Sequence, residues 1–165
     1  LMRTQALLDF CSWLENTPAS LTIQSTDWIV PTVQTVHILS IAAVVSSALM
    51  INLRLAGILG DQPMARVSAR YRPVIWWALP VLLATGAILI TGEPARSLAN
   101  AVFQLKMALL VAAIIVTLAV QMPLARNPAY WDDASGRRAI ARTIAIVSML
   151  LWSGIVFCGR WIAYQ

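Results

Sequence analysis

The sequence predicts an all-α integral membrane protein, a four-helix up-down bundle preceded by an interfacial amphipathic helix. Three observations carry that reading. Of the 165 residues, 59% are hydrophobic and 12% are charged, about half the charged share of an ordinary soluble domain. Four apolar runs, at about 32–55, 74–91, 101–122 and 139–158, fall in the length range that carries a helix across a bilayer. Eight of the twelve Lys and Arg residues (Arg54, Arg66, Arg70, Arg72, Arg126, Arg137, Arg138 and Arg142) follow runs one and three. This asymmetry places the 54–73 and 123–138 loops in the cytoplasm and both termini outside.

The elements follow in chain order. Residues 1–15 carry Leu7, Leu8, Phe10, Cys11 and Leu14 at helical spacing, which predicts a helix lying in the membrane surface with Trp13 at headgroup depth. Nothing in this stretch has the form of a secretory signal. The segment ENTPASLTIQSTDW is polar and turn-rich and leads to Trp28, a belt residue, and to Pro31, which a first helical turn tolerates. Span one runs to Arg54. Span two opens on Trp76 and Trp77, and its Pro80 and Gly86 predict a kink or a close approach to a neighbouring helix. A short connection holding Glu93 and Arg96 leads to span three, with Lys106 about one turn inside it. Span four closes on Trp161 and Tyr164, and the tryptophans as a set are expected in the interfacial belts. No internal repeat or low-complexity segment divides the chain, so residues 1–165 form one membrane domain.

A net charge of +5 and a pI near 10.0 might point to nucleic acid. The basic residues cap apolar runs and form no stripe, so membrane lipid is the expected partner and nucleic acid is not. Cys11 and Cys158 lack metal-ligand spacing. They are expected to be idle buried thiols, with a disulfide as the alternative if both face an oxidising compartment.

The alternating topology gathers four ionisable groups from four segments in one leaflet: His37, Glu93, Lys106 and Arg160. His37 is the only histidine. The seventeen residues from it to Arg54 rise ~26 Å, which puts the imidazole about one turn inside the outer surface. At 100° per residue Ser40, Ile41, Val44, Ser47, Ala48 and Ile51 share its side of the helix, a face of small and apolar residues that admits a second helix or a flat ligand. Around Arg160 lie Met149, Ser153 and Val156, and around Lys106 lie Leu109, Leu110, Ala113 and Thr117. Apolar walls with few hydroxyls suit haem, quinone or a lipid tail.

Each residue also has a plainer role. His37 can bond a neighbouring helix carbonyl, Lys106 can snorkel to the headgroups, Arg160 can bind a headgroup or terminal carbonyls, and Arg54 can anchor the inner interface. Met107 and Met149 belong to packing by default, with soft axial ligation as the alternative. The chain has no HExxH, CxxC, phosphate-binding glycine loop or Ser/His/Asp set. One histidine admits at most one conventional haem.

The pattern P-x5-H in span one, then N-L-R-L-A-G, T-G-E-P, N-x2-F-x-L-K and a final G-R-W-I-A-Y, resembles a family of small bacterial four-helix membrane proteins over almost the whole chain. A more distant similarity, in a first-span His, an Arg-Leu at its inner end and a Lys-bearing third span, is to haem-containing membrane protoporphyrinogen oxidases and copper-resistance membrane proteins. That likeness implies haem at His37 and Lys106. The group's second histidine has no counterpart, and its Trp and Gly after the His correspond to Val44 and Ser46 or Ser47, so porphyrinogen oxidation is not implied.

The expectation is therefore a bacterial inner-membrane protein binding b-type haem. His37 would be the axial ligand, Lys106 the opposite ligand or a propionate partner, and Arg160 a propionate partner, with Ser40, Val44 and Ser47 beside the ring. Electrons would pass between quinone and a periplasmic partner. The alternatives are a non-catalytic structural or assembly subunit of a larger membrane complex, and copper handling by His37 with Met107 or Met149.

Overall fold

The computed structural model describes residues 5–127, 130, 131 and 135–162. Its described residues form seven helices: α1 (Gln5–Glu15), α2 (Pro18–Ser25), α3 (Ile29–Leu55), α4 (Met64–Gly92), α5 (Pro94–Leu98), α6 (Ala101–Arg126) and α7 (Ser135–Trp161). Helices α3, α4, α6 and α7 are each long and apolar enough to cross a membrane. They form two antiparallel hairpins, α3 with α4 and α6 with α7. The hairpins join through an α3–α7 seam, and a lighter α4–α6 contact closes the ring. Short connections between consecutive spans impose this up-down order.

Two boundaries differ from the sequence reading. α4 starts at Met64, ten residues before the apolar run, so most of the supposed 54–73 loop is helix and only residues 56–63 connect. Pro73 and Pro80 both lie within it. A proline removes one backbone donor and strains the turn before it, but the buried Met64, Val67, Ser68 and Ile75 seat both sides of Pro73 on the bundle. The polar 16–28 segment also contains a helix, α2. Its N-cap, Thr17, accepts from the Ser20 N–H at 3.4 Å, and Pro18 occupies the first turn, where its missing N–H costs nothing.

With α1 and α5, α2 builds a cap over the end of the bundle where α4 finishes. Its chemistry answers the unpaired carbonyls that every helix leaves at its C-terminus. Ser20 Oγ donates to the Thr91 carbonyl at 2.7 Å, and Gln24 Nε2 donates to the Gly92 carbonyl at 3.1 Å. A Cβ on Gly92 would lie 2.9 Å from Ile23 Cγ2, so glycine sets how closely α2 sits. Within α1, Leu7, Cys11 and Leu14 turn inward, while Leu8, Phe10 and Trp13 are exposed. Residues 1–4 of the expected surface helix, and Tyr164 of the expected belt, lie outside the described residues.

The core runs the length of the bundle. On α3 the buried residues are Ser40, Val44, Ser47, Ala48, Ile51, Asn52 and Leu55. Trp131 and Trp152 are also core, at 7% and 4% exposure, which corrects their assignment to the belts. Trp13, Trp28, Trp76, Trp77 and Trp161 are exposed, as belt residues should be. Toward the other end, Asn52 Nδ2 donates to Ser148 Oγ at 2.9 Å and ties α3 to α7. An interhelical bond of this type contributes about 0.6 kcal/mol and at most about 1.7. Cys11 and Cys158 are separate buried thiols.

Candidate cofactor site at the histidine end

His37 faces α4. Its Nδ1 lies 2.8 Å from Thr85 Oγ1, and that hydroxyl bonds back along its own helix to the Val81 carbonyl at 2.7 Å, with the Leu82 carbonyl at 3.1 Å. A threonine hydroxyl has one proton to give and two lone pairs to share. With the proton committed to the helix carbonyls, the hydroxyl accepts from the imidazole, and Nδ1 carries the hydrogen. The neutral ring then keeps its lone pair on Nε2. A fixed Nδ1–H donor of this kind is how proteins orient a histidine for ligation through the other nitrogen.

Gly86 completes the seat. A Cβ there would stand 3.3 Å from His37 Cε1 and 3.9 Å from Nδ1, so the imidazole edge rests on bare backbone. The close approach expected from Gly86 in the sequence is thus an approach to His37. Thr85, buried at 8% exposure, was missed. The adjoining Thr-Gly pair is the signal that could have found it, a hydroxyl next to a gap on the helix that follows the histidine helix.

Of the four ionisable groups expected to gather, His37 faces α4 and Lys106 faces α7. Lys106 on α6 is half-buried and reaches across to α7, where its Nζ lies 3.7 Å from the position of a Gly159 Cβ. That glycine directly follows Cys158 in α7. Cys158, at 6% exposure, is buried as the sequence reading of an idle thiol expected. Glu93 joins neither. Its carboxylate accepts from Arg96 Nη1 at 3.0 Å on the exposed surface. Arg160 is exposed on the last turn of α7.

Ser40, Val44 and Ser47 are buried at 7%, 0% and 2% exposure, on the face predicted for them. Ser40 Oγ donates to the Val36 carbonyl at 2.8 Å, and Val44 is part of the continuous core. Met107 packs against that core, and Met149 is half-buried on α7. Among the described residues no three His, Cys, Asp or Glu side chains form a group that could hold a metal ion.

The arrangement defines a four-span α-helical membrane protein whose histidine is oriented by a neighbouring helix. A family described only as of unknown function, DUF6644, matches residues 12–165, and the chain belongs to that family. No curated protein and no solved structure matches it.

Proposed function

We propose that the chain is a multi-pass protein of the bacterial inner membrane that binds one b-type haem through His37 and takes part in electron transfer on the periplasmic side. The arginine distribution supports this orientation, with both termini periplasmic. The observation that carries the reading is the His37–Thr85 bond at 2.8 Å, which leaves Nε2 as the nitrogen with a lone pair. Haem, when bound, supplies a one-electron couple. The chain's residues do the rest. Thr85 holds the tautomer, Gly86 keeps α4 clear of the ring, and Ser40, Val44 and Ser47 rigidify the helix behind it. Lys106, half-buried on α6, would either neutralise a carboxylate of the group or, as the free amine, serve as a second ligand. Arg160, exposed on the last turn of α7, would pair with a carboxylate of the group. Quinone in the membrane or a periplasmic protein is the exchange partner.

Absorption spectra of the detergent-purified protein, oxidised and reduced, test this. The expected result is a Soret band that shifts on reduction and is lost in His37→Ala. A colourless protein that takes up no haem when it is supplied contradicts it.

One observation favours a second reading, a non-catalytic subunit of a larger membrane complex. The small face of α3 is already closed by helix packing, and the His37–Thr85 bond joins two helices as a structural contact does. This reading predicts a colourless protein that copurifies with larger subunits and tolerates His37→Gln. Copper handling through His37 with Met107 or Met149 is the third reading, and no specific observation favours it.

A further inference from the structure

The half of the core nearer Arg54, where α3 ends, is the polar half. Ser47 and Asn52 on α3, Ser68 on α4, Gln121 on α6 and Ser148 on α7 are each at 7% exposure or less, so all four spans contribute. None of these side chains is charged. Asn52 Nδ2 donates to Ser148 Oγ, and Trp152 follows Ser148 by one turn on the same side of α7. Gln121 lies further toward the Arg54 end, next to Val120, whose carbonyl accepts from Trp131 Nε1 at 3.4 Å. Two atoms of this stretch have no hydrogen-bond partner among the described residues: Gln121 Oε1 and Trp152 Nε1. The two residues are 5% and 4% exposed. Lipid tails offer neither donors nor acceptors, so polar groups in a membrane-crossing core are served from inside the bundle or not at all.

We propose that this half of the core is a binding site for internal water, which accepts from Trp152 Nε1 and donates to Gln121 Oε1. An indole N–H can only donate and an amide oxygen can only accept, and water is the ligand that answers both. Buried water settles where several polar groups surround it. Ser148 Oγ accepts from Asn52 and still has a proton to give, while Asn52 Oδ1 and the Ser47 hydroxyl add further capacity. The neutral lining favours a neutral ligand over an ion, because a buried ion needs opposite charge beside it. The wet stretch stops short of the histidine. Between Ser47 and Ser40 the inward face of α3 carries Val44, at 0% exposure, and close packing there excludes solvent. Protons and solvent therefore reach His37 from its own end of the bundle, whether or not it carries haem.

Hydroxyl-radical footprinting with X-rays, read by mass spectrometry on the full wild-type chain in neutral detergent, tests this. The radicals form where water resides, and a scavenger in the buffer removes only those born in bulk solvent. Oxidation of Trp152 should persist in the scavenger, while that of the exposed Trp13 is lost. Thermal unfolding of Q121L supplies the second readout. Leucine is close to glutamine in size and removes the acceptor, so the midpoint should fall by about 2–4 °C if water serves Oε1. An acceptor that nothing serves would instead make Q121L the more stable protein. Footprinting needs no variant, so the test stands even if Q121L fails to fold.

Three results overturn the proposal: Trp152 oxidation that is absent or vanishes with the scavenger, a Q121L midpoint above that of the wild type, or a wild-type midpoint that changes when sodium replaces potassium at equal ionic strength. The last would mean that the hydroxyl and amide oxygens of this stretch hold a monovalent cation.

Discussion

The two ends of the bundle handle polarity in opposite ways. At the histidine end, neutral donors and acceptors from different helices are paired: Ser20 with Thr91, Gln24 with Gly92, His37 with Thr85. At the arginine end, like charges from different segments are held around a shared space. Matched neutral groups fix helix positions and, in the case of His37, fix which nitrogen is protonated. The arginines instead gather at the rim of a hollow, where Arg54 Nε holds the 56–63 connection through the Gln62 carbonyl.

The largest effect expected from perturbing this contrast lies in the cap. Gly92→Leu places a side chain where Ile23 Cγ2 would be 2.9 Å from the first carbon alone, and overpacking of this kind costs about 1–3 kcal/mol. Thermal unfolding in detergent should fall accordingly, with earlier proteolysis in residues 16–28. An unchanged profile would show that α2 does not depend on close contact with α4.

Next comes Thr85→Val, which preserves shape and removes the acceptor for Nδ1–H. Loss of such a bond costs about 0.5–1.5 kcal/mol. If the hydroxyl orients the ring, haem retention should drop well below that of Thr85→Ser, measured as the Soret-to-protein absorbance ratio. Equal retention in the two variants would remove Thr85 from the account.

Asn52→Ala breaks the α3–α7 tie to Ser148 and should cost about 0.6 kcal/mol, up to about 1.7, with no change in any haem signal. A spectral change there would mean that the two ends are coupled. The smallest effect belongs to Arg54→Lys, which keeps the charge and loses the Nε donor to Gln62. Stability should shift by less than about 0.5 kcal/mol, while limited proteolysis within residues 56–63 becomes faster.

The four spans and the inward face of α3 were legible because a bilayer imposes length and helical periodicity imposes a side. Ser40, Val44, Ser47, Ala48 and Ile51 were all placed correctly by angle alone. α2 was passed over because its composition is polar, although Thr17 and Pro18 form a standard helix start. The early start of α4 was hidden by Pro73, which reads as a boundary until buried neighbours on both sides hold the helix together.

Other features depend on partners that no local pattern encodes. Asn52 looks like a stray amide in an apolar run, since its partner is 96 positions away. Trp131 and Trp152 have the composition of belt residues, and only the packing sends them inward. Arg54 and Arg142 were legible as charges at a membrane surface. Their convergence needed the path of the 56–63 connection.

The central claim is that His37 carries its proton on Nδ1 and offers Nε2. Because the chain has one histidine, imidazole ¹⁵N NMR of uniformly labelled, cofactor-free protein at alkaline pH reports on this ring alone, and couplings to the Cδ2 and Cε1 protons tell Nδ1 from Nε2. The account predicts a protonated, pyrrole-like Nδ1 and an unprotonated, pyridine-like Nε2, with the pattern averaging between tautomers in Thr85→Val. A pyridine-like Nδ1 in the wild-type protein would contradict it, because the Thr85 hydroxyl would then be the donor and Nε2 would hold the proton.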